Sequence, residues 1–170
     1  MMHRGCIQAL TGKASDAIAM IPEGIAAWKS SGSIVFVPWY IAHVAKARAE
    51  PGKFDEAWRN IDEALEAIKT TGETWCEPDI HRIAGEIALL APVPDVDKAK
   101  AHFARALAVA REQQAKSWEL RAATSLATLL RDQGQHEGAR ELLAPVYGWF
   151  KEGFDTLDLK RAKALLDELN

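Results

Sequence analysis

The chain has 170 residues, 48% of them apolar and 26% charged, with a net charge of −3. That balance suits one globular unit with its own core, and it offers neither a basic surplus for nucleic acid nor a block of like charge for a tail. Cys6 and Cys76 are too far apart in sequence to suggest a disulfide or zinc framework, no apolar run approaches the ~20 residues that span a bilayer, and no signal peptide opens the chain, so a cytoplasmic protein without membrane or nucleic-acid partners is expected.

Helical periodicity predicts segments near 1–11, 15–31, 35–50, 54–71, 76–90, 96–115, 117–133, 137–151 and 157–169. The first two meet at Gly12-Lys13-Ala14-Ser15-Asp16-Ala17, which returns 40 residues later as Gly52-Lys53-Phe54-Asp55-Glu56-Ala57. The match continues downstream, where Gly24 to Gly32 overlays Ala64 to Gly72. A fixed internal period of this size marks a helical repeat array. Ile34-Val35-Phe36-Val37 is rich in strand formers, but Pro38 suits the first turn of a helix. In 54–71, Ala57, Ile61, Ala64, Leu65 and Ile68 share one helical stripe, and Ala99, Phe103, Ala106, Leu107 and Ala110 repeat it in 96–115. Pro92-Val93-Pro94-Asp95 excludes helix and lengthens the preceding turn. A fourth copy runs from Gly134 through Ala139 to Leu143 and Val146. Gly12, Gly32, Gly52, Gly72 and Gly134 punctuate the breaks, and Ser15, Asp55 and Asp155 are candidate caps or first-turn acids. In the last segment Leu159, Ala162, Leu165, Leu166 and Leu169 form an apolar stripe, as expected of a lid on the array.

The small residues at the expected helix crossings carry a resemblance. Ala45, Gly52, Phe54, Ala57 and Ala64, then Gly85, Val96, Ala99 and Ala106, then Ala127, Gly134 and Ala139, resemble the pattern of tetratricopeptide repeats. Small side chains there allow backbones to approach to about 8 Å. The resemblance implies an all-α, right-handed α-solenoid of about four helix pairs, in units 1–33, 34–73, 74–116 and 117–151, with a capping helix at 156–169. Arg131-Asp132-Gln133-Gly134, Leu142 to Phe150, Glu152 to Thr156 and Asp158-Leu159-Lys160, with Ile80 to Glu86, further resemble the C-terminal tail of bacterial signalling proteins. Those proteins join a class III adenylate/guanylate cyclase or winged-helix domain to an ATPase module. No cyclase or ATPase motif is present, so the resemblance implies only an accessory, regulatory role. The short first unit looks like a tail cut from upstream modules, and weak homodimerisation through that edge is expected, with Ile7, Leu10 and Ile18 under reduced cover.

In such an array the first helix of each pair lines the concave face. That places Trp39, Lys46 and Glu50, then Arg82, Glu86 and Leu89, then Arg121, Thr124, Thr128 and Arg131 on one surface. Arginines beside a Trp suit a protein or peptide partner bearing carboxylates, because a guanidinium grips a carboxylate through two parallel hydrogen bonds. The plain alternative is a solvated face with no ligand. Two other functions stay open: a small-molecule sensor that gates upstream modules, and a self-association module. Phe36, Trp75 and Trp118 read as packing between repeats; Trp28 and Trp149 are expected to pack, and Trp58 to be partly exposed. His3, His43, His81, His102 and His136 show no metal-ligand spacing and read as surface or packing residues, while the cysteines read as buried. No catalytic constellation, metal or cofactor is expected.

Overall fold

The computed structural model describes residues 14–30 and 35–169. Eight α-helices make up the described fold: α1 (Ala14–Ser30), α2 (Val37–Ala49), α3 (Phe54–Thr71), α4 (Glu77–Leu90), α5 (Val96–Glu112), α6 (Lys116–Asp132), α7 (His136–Gly148) and α8 (Leu157–Glu168). A 3-10 turn, Thr74–Cys76, leads into α4, and there is no strand among the described residues. The all-α class expected from the sequence holds.

Helix ends follow local chemistry. Phe36 takes a left-handed φ of 69°, which holds the start of α2 back to Val37 and leaves Pro38 in its first turn. Gln114 adopts φ 54° just past α5, so that helix ends at Glu112 rather than continuing to 115. Gly52, Gly72 and Gly134 hold φ between 73° and 88° at their breaks, as the sequence suggested, whereas Gly12 and Gly32 lie outside the described residues. Asp55 falls in the first turn of α3, and Asp155 precedes the N-cap Thr156. Asp95 is a cap in full, accepting a 3.0 Å bond from the Lys98 N–H.

Consecutive helices pack on one another from α1 to α8, and the even-numbered helices α2, α4, α6 and α8 also touch each other in turn. The anticipated stripes face the interior: Ala57, Ile61, Ala64 and Ile68 of α3, and Ala99, Phe103, Ala106, Leu107 and Ala110 of α5, are buried. At Gly85 the approach is so close that a Cβ would sit 2.4 Å from Phe103 Cε1. Leu159, Ala162, Leu165 and Leu169 of the last segment join the same core. Trp58 packs against the clusters on both sides of it.

One aromatic expectation changes and another holds. Trp149 is 55% exposed, because it follows Gly148 at the end of α7 and lies beyond the buried Ala139, Leu143 and Val146 stripe. Phe36, Trp75 and Trp118 do pack together, with ring centroids 5.1 and 6.4 Å apart, and form a row where even-numbered helices begin. Ile7, Leu10, Cys6 and the Trp28 side chain lie outside what the structure describes, while Ile18 is half-buried against the Tyr40 and Val44 cluster. Among the described residues no helix is long and apolar enough to cross a membrane.

Candidate functional site

The face shared by α2, α4, α6 and α8 gathers the singled-out residues. On α2, Trp39, His43 and Lys46 are spaced four and three apart, and on α4 Asp79, Arg82 and Glu86 are spaced three and four. Each trio therefore occupies one helical face. The two helices present these faces to each other at a constant offset. Trp39 Nε1–H donates to Asp79 Oδ2 at 2.8 Å, 40 residues away, and Lys46 Nζ donates to Glu86 Oε2 at 2.8 Å, again 40 residues away.

Within α4 the charges interlock. Arg82 Nε donates to Asp79 Oδ1 at 2.8 Å, and a second guanidinium nitrogen, Nη2, lies 2.7 Å from the same oxygen. Its Nη1 donates to Glu86 Oε1. Asp79 is buried, with 1% of its side chain exposed. Burial alone would raise its carboxyl pKa, but the Arg82 guanidinium, His43 and the two donated hydrogen bonds prevail and hold it below the usual carboxylate value. His43 is also buried, and its Nδ1 lies 2.9 Å from the Trp39 carbonyl oxygen, so Nδ1 carries the hydrogen. Burial lowers its pKa despite the nearby Asp79 carboxylate.

Farther along, α6 and α8 make a second set of links, 37 residues apart. Arg121 Nε donates to Asp158 Oδ2 at 2.6 Å, and Arg131 Nη1 donates to Glu168 Oε2. The Arg121 guanidinium also lies 4.9 Å from the Trp118 ring centroid. Arg131 Nε donates to Asp132 Oδ1 at 2.9 Å.

The structure thus brings Trp39, Lys46, Arg82 and Glu86 into one network and sets Arg121 and Arg131 in a second. The hydroxyls of Thr124 and Thr128 donate back to the Leu120 and Thr124 carbonyls, at 2.7 and 2.9 Å. The arginines foreseen for a partner's carboxylate engage the chain's own Asp79, Glu86, Asp158 and Glu168. Asp158, Glu168 and the central position of Asp79 were missed from the sequence. The register held the signal, because stepping 40 residues from Trp39 and Lys46 lands on Asp79 and Glu86.

Cys76 is a different kind of group. It is buried, and burial pushes its thiol up to about 12, which removes it as a nucleophile near neutral pH. No known protein family matches the chain, and no curated protein is significantly similar to it.

Proposed function

We propose that the chain is a non-catalytic protein- or peptide-binding scaffold: a right-handed α-solenoid of about four tetratricopeptide-like helix pairs, closed by α8, serving as the regulatory tail of a multidomain bacterial signalling protein. The observation that carries this reading is that the cross-helix links keep one offset between α2 and α4 and another between α6 and α8. Trp39 with Asp79 and Lys46 with Glu86 are 40 residues apart, and Arg121 with Asp158 and Arg131 with Glu168 are 37 apart. A register kept along the length of each helix pair is what stacked repeats require, and stacked repeats present a long continuous surface.

On that surface a partner's carboxylate engages Arg121 and Arg131, where the existing ion pairs are open to water. The Arg121 and Asp158 side chains are 38% and 30% exposed, against 16% and 1% for Arg82 and Asp79. An exposed pair contributes only about 0.2–1 kcal/mol, so an incoming carboxylate can displace it. Selection of C-terminally free peptides from a display library against the folded chain tests this. Peptides enriched for acidic groups, weakened by Arg121→Ala, support the reading; a library that yields no binder to the well-folded chain counts against it.

One observation favours a small-molecule sensor instead. A cleft of about 370 Å³ opens between α1, α2 and α3, lined by Pro22, Ile25, Ile41 and Val44, with Arg48, Asn60 and Glu63 as its polar groups. Stabilisation of the chain by a metabolite, abolished by Val44→Trp, would favour that role.

A further inference from the structure

The face of α2 opposite Trp39, His43 and Lys46 looks into the cleft between α1, α2 and α3. Ile41, Val44 and Arg48 are spaced three and four apart, so they share that face, and Ile25 and Ala26 of α1 line the cleft with them. The cleft holds about 370 Å³, within the roughly 300–1,000 Å³ of small-molecule sites. Its polar end is a short chain of contacts. Arg48 Nη1 donates to Asn60 Oδ1 at 2.7 Å, and Asn60 Nδ2 donates to Glu63 Oε2 at 3.3 Å.

This chain leaves one group of each sign unanswered. Among the described residues Glu63 forms no ion pair, and Arg48 Nη2 has no hydrogen-bond partner. Arg48 Nε is buried without a hydrogen bond, 3.5 Å from Glu56 Oε2, while the side chain as a whole keeps 25% exposure. The Asn60 amide stands between the guanidinium and the Glu63 carboxylate, so the two do not neutralise each other directly.

Resting on the small-molecule sensor reading, we propose that this cleft binds a free α-amino acid with an apolar side chain, such as leucine. The ligand's carboxylate meets the free edge of Arg48, its ammonium meets Glu63, and its side chain lies on Ile25, Ile41 and Val44. Charge selects for a ligand that carries both signs. Arg48 and Lys53 balance Glu56 and Glu63, since Lys53 Nζ lies 3.9 Å from Glu56 Oε1, so the lining is neutral overall. A carboxylic acid without an amine would bring its charge up to Glu63 with nothing to answer it, and an amine without a carboxylate would do the same at Arg48. Because the cleft lies on the far side of α2 from the charged face, it can be filled while a peptide occupies that face.

Titration of the full chain with L-leucine by calorimetry, with 4-methylpentanoate and 3-methylbutylamine as controls, tests the site. Leucine should bind at one per chain and raise the melting temperature. Each control lacks one of the two charged groups and should bind at least about tenfold more weakly. Glu63→Gln, at an exposed position, should weaken leucine and shrink its advantage over 4-methylpentanoate. Ala26→Trp, on the exposed rim, should fill the cleft and abolish leucine binding with the fold intact. Leucine that binds no more tightly than 4-methylpentanoate, or binding that survives Ala26→Trp, would overturn the proposal. Stabilisation by other metabolites, with none by leucine, isoleucine or valine, would overturn the ligand class and leave the sensor reading standing; a chain stabilised by no small molecule would overturn both.

Discussion

The links between α2 and α4 and those between α6 and α8 both pair a donor side chain with a carboxylate on the next even-numbered helix, but in different environments. Asp79 accepts from Trp39 and Arg82 with 1% of its side chain exposed. Asp158 accepts from Arg121 with 30% exposed. In the buried set, loss of one partner strands a charge or a donor in a medium that cannot solvate it. In the exposed set, water replaces whatever is lost. Links of similar chemistry should therefore matter far more to stability between α2 and α4 than between α6 and α8.

The largest effect should come from Asp79→Ala, which leaves the Arg82 guanidinium without its buried carboxylate. A loss of about 3–5 kcal/mol is expected in denaturant melts. A loss under 1 kcal/mol would place Asp79 with the exposed pairs and erase the contrast. Trp39→Phe keeps most of the ring packing but removes one hydrogen bond to Asp79, and it should reduce stability by about 1–3 kcal/mol. Asp158→Ala should change stability by less than about 1 kcal/mol, and what it does change should shrink further as salt is raised.

Acid should act on the buried groups in a defined window. The His81 pKa falls from 6.5 to about 4 on folding, and those of His43 and His102 also fall. The unfolded chain then binds more protons between those values, so stability rises with pH across that interval. The contribution is complete above about pH 6.5 and is lost as pH drops toward 4. Asp79 acts in the same direction, because its lowered carboxyl pKa favours the native state until acid protonates it. Melts from pH 7 to pH 4 should show declining stability, with a shallower slope in His81→Phe. An equal slope in wild type and variant would mean that His81 is not held neutral by the fold.

Much of the helix layout was legible in the sequence. Gly52, Gly72 and Gly134 located turns, and alanine spacing located the buried faces. The Leu159 to Leu169 stripe showed that the last helix has a face to bury, and the structure buries it. Pairing was harder to read. A residue's place on a face follows from 3.6-residue periodicity, but whether its charge meets solvent or a neighbour depends on which helix lies across from it. Arg82 and Arg121 occupy comparable faces, yet only a structure shows that one meets a buried Asp79 and the other a half-exposed Asp158. The same limit hid the contact between His81 and His102, which are 21 residues apart on different helices.

The central claim is that the exposed carboxylates on the α8 side hold a place that a partner's acid can take. Isothermal titration of an acidic peptide recovered by display, against the wild-type chain and Asp158→Ala, tests it most directly. Removal of Asp158 frees Arg121 from its internal competitor, so affinity should rise by up to about fivefold, the equivalent of ~1 kcal/mol for an exposed ion pair. Affinity that is unchanged or weaker in Asp158→Ala, with the fold intact, would contradict the account.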